Sequence, residues 1–116
     1  MPPSGISGVT GGAVTVSDSE VDETAQKAIF AIDRKPHGIF SVDMTYDKNN
    51  IPNPTEINIG RFFTTNEFFT QVGLNMPYIF VKLAFGEPYP EIKKKINPLP
   101  EGLVWIRGVD FLPVLN

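Results

Sequence analysis

A chain of 116 residues is about one domain's worth, which excludes a multidomain enzyme contained within it. Ten Lys and Arg against thirteen Asp and Glu leave a net charge of -3, with no basic excess to neutralise a phosphate backbone, so nucleic acid is not an expected partner. Hydrophobic residues at 41% suffice for a core, and the absence of cysteine removes disulfides, thiolate metal sites and thiol nucleophiles, which fits a reducing cytoplasm.

The first residues, Met1-Pro2-Pro3-Ser4-Gly5, have neither the positive nor the apolar region of a secretory leader, and no run approaches the roughly 18 apolar residues that span a bilayer. Ten glycines and eleven prolines predict short elements and many turns. Residues 1–12 carry Gly5, Gly8, Gly11 and Gly12 and read as a flexible lead-in loop, with 13–116 as the folded unit. Within that loop Ser4-Gly5-Ile6-Ser7-Gly8 offers backbone N–H groups to a phosphate but lacks the lysine and spacing of a P-loop.

Ala13 to Val16 is a short strand candidate. Ser17 with Glu20 makes a capping box and predicts a helix from there to just before Pro36. Val21, Ala25, Ala28, Ile29 and Ile32 form its apolar stripe, with Asp22, Glu23, Lys27 and Arg34 outside it. His37, the only histidine, sits in a loop leading into the next strand and receives no catalytic role. From Ile39 to Asp47 the period switches to two, and Thr55, Ile57 and Ile59 alternate with Glu56 and Asn58 beyond a Lys48-Asn49-Asn50-Ile51-Pro52-Asn53 turn, which predicts a β-hairpin. Thr64 to Glu67 is a second capping box, opening a helix that stops at Gly73. Met76-Pro77 starts another, apolar on most sides apart from Lys82 and ended by Gly86, a helix to bury or to pack against another chain. Pro88 to Gly102, with Lys93-Lys94-Lys95, reads as an exposed connection, and Leu103 to Val109 as a last strand. Trp105 and Phe111 read as core or interface; Phe68, Phe69, Tyr78, Phe80 and Phe85 bury each other or form a surface for a partner.

The hairpin carries the chemistry. A turn centred between Asn49 and Asn50 puts Asp43 opposite Glu56 and Ser41 opposite Asn58. Opposed side chains have Cβ atoms about 4.5 to 5.5 Å apart, where like charges destabilise unless something compensates. A divalent cation does so, and magnesium accepts one or two carboxylates with phosphates and waters. Arg61, at the strand end, is placed to hold a phosphate bidentately. The same spacing also fits a plain solvated face, and spacing alone leaves the two readings open. Pro52 and Pro54 cannot donate to the ladder, which implies an edge strand or a longer turn.

Glu56-Ile57-Asn58 with Gly60-Arg61-Phe62, preceded by Gly38-Ile39-Phe40-Ser41-Val42-Asp43 and followed by Thr64-Thr65-Asn66-Glu67-Phe68-Phe69 and Gly73-Leu74-Asn75-Met76-Pro77, resembles the C-terminal part of an ATP-grasp domain, especially the carbamoyl phosphate synthase large-subunit type. The resemblance covers about residues 10 to 112. It implies an α+β fold, an antiparallel sheet with flanking helices. It also implies Asp43, Glu56 and Asn58 as ligands of magnesium, or manganese in its place, bridging ATP phosphates, and Arg61 as a catalytic phosphate contact. Arg61 stands one residue later than in the commonest synthase pattern, because Ile59-Gly60 replaces a single proline. The family activates a carboxylate or bicarbonate as an acyl phosphate for attack by an amine, chemistry that rests on positioning and charge neutralisation. A complete site of this type also needs upstream strands with lysines and a hinge for adenine. The expectation is therefore a fragment or split-gene product, inactive alone, whose partners are ATP and the missing N-terminal subdomains in cis or in trans. The alternative is a non-catalytic interaction or homodimerisation module derived from that fold.

Overall fold

The computed structural model describes residues 12–59, 62 and 65–106. The fold is α+β: β1 (Gly12–Val14), α1 (Ser19–Ile32), β2 (Phe40–Tyr46), β3 (Pro52–Ile59), α2 (Asn66–Gln71), α3 (Met76–Ala84) and β4 (Val104–Ile106). Where one antiparallel sheet was expected, two separate two-stranded antiparallel ribbons form, β1 with β4 and β2 with β3. The last strand is three residues long within the described region, and Phe111 lies outside the described residues. No helix among the described residues is long and apolar enough to cross a membrane.

The helix ends are set by local chemistry. Asp18, not Ser17, caps α1: its backbone is extended and its carboxylate accepts from Glu20 N at 3.0 Å and Val21 N at 3.4 Å. A carboxylate there also meets the positive end of the helix dipole. Along the expected stripe Val21, Ala25, Ala28 and Ile29 are half-buried, but Ile32 is exposed, as is Phe30 beside it. Thr65 is the N-cap of α2 without a side-chain bond, and Thr64 lies outside the described residues. Gly73 closes α2 at φ +101°, with Gly73 N donating to Thr70 O and Leu74 N to Phe69 O, a pairing that requires the left-handed conformation only glycine adopts freely. Asn75 caps α3, its side-chain oxygen accepting from Tyr78 N at 3.1 Å, with Pro77 in the first turn.

The core is small. Phe68, Leu99 and Trp105 form its buried cluster, with Phe68 and Trp105 stacked at 5.2 Å and 18°. Ala13 packs against it, so one face of the β1–β4 ribbon is inside while Val14, Val104 and Ile106 stand exposed on the other. Trp105 Nε1 is buried without a hydrogen-bond partner among the described residues. Leu99 corrects the reading of residues 88–102 as wholly exposed. That segment is tied to the strand end: Asn97 Nδ2 donates to Val16 O, the Thr15 hydroxyl to Pro100 O, and Leu103 N to Thr15 Oγ1. Met76 and Ile79 are the buried face of α3; Phe80 meets Phe62 edge-on at 5.7 Å; Tyr78, Val81 and Phe85 remain exposed.

Candidate functional site

The β2–β3 hairpin is built around Asp47. Its carboxylate accepts from Asn49 N at 2.8 Å and Ile51 N at 3.0 Å, and its backbone N–H donates to Ile51 O. These backbone bonds, Ile51 first and Asn49 second, hold the Asp47 carboxyl below its usual value. Asn50 takes φ +59°, a left-handed position that asparagine tolerates. The strands therefore leave a five-residue loop, 47–51, with Tyr46 opposite Pro52, Thr45 opposite Asn53 and Met44 opposite Pro54. The loop is centred on Asn49 itself, one half-step from the turn expected between Asn49 and Asn50.

A β-bulge corrects that step. The register shifts between Asp43 and Met44, leaving Thr55 without a cross-strand partner. Pro54 has no N–H to give the ladder, and the Thr55 hydroxyl donates instead to Asp43 O at 3.1 Å. Beyond the bulge Asp43 faces Glu56, Val42 faces Ile57 and Ser41 faces Asn58. Were Thr55 held in the ladder instead of bulged, Glu56 would face Val42 and Asn58 would face Phe40, because a one-residue slip flips every side chain. The expected pairing thus arises from a longer turn plus a bulge, a combination that the two prolines signal and simple turn-centring misses.

One row of side chains now runs along a single face: Asp43 and Glu56 exposed, then Ser41 half-buried and Asn58 at 8% exposure, the one buried polar side chain among the described residues. Two carboxylates stand at the open end and an amide at the closed end. No group of three or more His, Cys, Asp or Glu side chains that could hold a metal occurs among the described residues. A cation here would take at most two carboxylates and an amide oxygen from the described residues, with water and phosphate oxygens completing its shell, the pattern magnesium prefers. Arg61 lies outside the described residues.

Other polar groups serve the fold. The Tyr46 hydroxyl donates to Asp18 Oδ2 at 2.7 Å, pinning the hairpin tip to the start of α1. His37 Nε2 lies 3.3 Å from Leu83 O, linking the approach to β2 with α3. Lys82 pairs with Glu87 at 2.7 Å and sits 5.4 Å from the centre of the Tyr78 ring. No family model, curated protein or solved structure matches this chain.

Proposed function

We propose that the chain is the C-terminal, metal-holding subdomain of an ATP-grasp ligase resembling the carbamoyl phosphate synthase large subunit. In this reading Asp43, Glu56 and Asn58 hold Mg2+ against the phosphates of ATP, and Arg61 contacts a phosphate. The larger enzyme activates a carboxylate or bicarbonate as an acyl phosphate, with the remaining subdomains supplied in cis or in trans. One observation carries the reading: the register places the two carboxylates opposite each other and Asn58 on the same row. Two opposed carboxylates with an amide on the same row supply oxygen ligands of the kind a divalent cation takes.

Isothermal titration of the chain with ATP and Mg2+ tests the reading. Heats from the native chain that vanish in the Asp43→Ala, Glu56→Ala double variant support it; indistinguishable heats sink it. The second reading, a non-catalytic association module, draws on α3, whose Tyr78, Val81 and Phe85 lie exposed at i, i+3 and i+7, with Phe85 at 76%. Concentration-dependent light scattering separates the two, since a tight dimer without nucleotide binding favours the module and a strict monomer removes it.

A further inference from the structure

The β2–β3 hairpin joins two registers in one ladder. Nearest the loop, Tyr46, Thr45 and Met44 face Pro52, Asn53 and Pro54; from Asp43 onward the partners are Glu56, Ile57, Asn58 and Ile59. Apolar patterning selects the second register, since it sets Ile57 against Val42, both half-buried. Patterning does not select where the extra residue goes. A bulge nearer the loop would return Thr55 to the ladder opposite Met44 and leave every pair from Asp43 onward unchanged. The placement of the bulge directly before Glu56 therefore has a local cause.

One hydrogen bond supplies it. The Thr55 hydroxyl donates to Asp43 O at 3.1 Å, joining the residue just before Glu56 to the residue directly opposite Glu56. The two carboxylate residues are thereby tied through one hydrogen bond and one peptide link. A bulge increases the local twist and re-aims the side chains beside it, so a bulge pinned here sets the directions of both carboxylates, and one nearer the loop does not. Thr55, Asp43 and Glu56 are all exposed. Water competes for an exposed hydroxyl, so the bond contributes modestly to stability and acts mainly on geometry.

We propose that Thr55 is a positioning residue of the carboxylate row: its hydroxyl pins the bulge beside Glu56 and fixes the angle at which Asp43 and Glu56 present oxygens to a divalent cation. The inference rests on the reading of that row as a Mg2+ site, and Thr55 itself is not a ligand. Groups that orient ligands from behind are worth roughly 10–100-fold in metal affinity.

The test compares the full native chain with Thr55→Val, which keeps the β-branch and the extra residue without the hydroxyl, and Thr55→Ser, which keeps the hydroxyl. Mn2+ alone is the probe, and solvent-proton relaxation reads binding. Thr55→Val should bind about tenfold more weakly at a near-native Tm, and Thr55→Ser should recover most of the loss, a rescue that a purely structural role does not produce. A second readout needs no ion: in EDTA the Asp43 carbonyl carbon resonance should move in Thr55→Val and stay near its native position in Thr55→Ser. Native affinity in Thr55→Val overturns the proposal and leaves the Mg2+ reading standing. So does an equal loss in both variants, or an unmoved Asp43 carbonyl resonance in Thr55→Val. Absence of Mn2+ binding by the native chain, or binding that survives the Asp43→Ala, Glu56→Ala double variant, overturns the Mg2+ reading and the proposal with it.

Discussion

Asp43 faces Glu56 across the hairpin because Thr55, adjacent to Pro54, is bulged out of the ladder. The bulge therefore decides which face the carboxylates share. Deleting Thr55 removes the extra residue and leaves Glu56 opposite Asp43 and Asn58 opposite Ser41 in a regular ladder. Paramagnetic broadening by Mn2+ should then still reach Asp43, Glu56 and Asn58 together, as in the native chain. Broadening of Asp43 without Glu56 or Asn58 in either protein would mean that the ion is not held by this row.

Asp43→Asn should act in opposite directions on stability and binding. In EDTA the variant loses a like-charge cross-strand pair and gains roughly 0.2–1 kcal/mol. With millimolar Mg2+ and ATP the native chain should show the larger rise in Tm. Thermal melts in the two buffers check both signs, and a variant that gains as much from Mg2+ as the native chain removes Asp43 from the ligand set.

Phe68 and Trp105 carry much of a small core. Phe68→Ala should cost about 3–5 kcal/mol, enough to abolish a cooperative transition in a domain of marginal stability. Trp105→Phe should cost less, since along with the lost ring volume it removes a buried N–H that has no acceptor among the described residues. Urea unfolding followed by circular dichroism ranks the two.

The Asp18–Tyr46 contact sets a pH window. The Tyr46 hydroxyl is the main cause holding the Asp18 carboxyl below its usual value, and Asp18 in turn is the main cause raising the Tyr46 phenol. A depressed carboxyl contributes stability that is present above its unfolded pKa and lost as pH falls through the folded one. A raised phenol contributes below its unfolded pKa and loses that contribution as pH rises through the folded one. Tyr46→Phe should thus flatten stability against pH at both the acid and the alkaline end, with little change in shape near neutrality. Melts from pH 2 to 11 measure it.

Gly73→Ala places a Cβ at φ +101° and should destabilise by roughly 1–2 kcal/mol although nothing crowds the site. The loss should appear in the unfolding midpoint and spare metal binding.

Element types were largely legible in the sequence because they rest on local chemistry: period-two alternation in Phe40 to Tyr46, Gly73 and Gly86 as helix stops, Pro77 in a first turn. The Asp43–Glu56 pairing was legible too, yet for an incomplete reason, since the bulge at Thr55 offsets a turn centred on Asn49. Asp18 was passed over in favour of Ser17, because serine and aspartate cap equally well and only the backbone angle chooses between them. Burial of Leu99 inside a proline-rich stretch was not legible, as it depends on Trp105 and Phe68 arriving from distant segments. The split into two ribbons likewise reflects long-range placement that local periodicity does not encode.

Thr15 bonds Leu103 across 88 positions of chain, and its hydroxyl meets Pro100 as well. During synthesis this clasp has no partner until nearly the whole described chain has emerged, so the hairpin and helices must wait as separate local structures. Closure over so long a span is a slow, entropy-limited step. The ribosome, in effect, withholds the core until Trp105, which completes it and is among the last described residues, has appeared. A stalled or truncated product lacking the final strand would present Phe68 and Ala13 to solvent, and would be a substrate for chaperones and proteases.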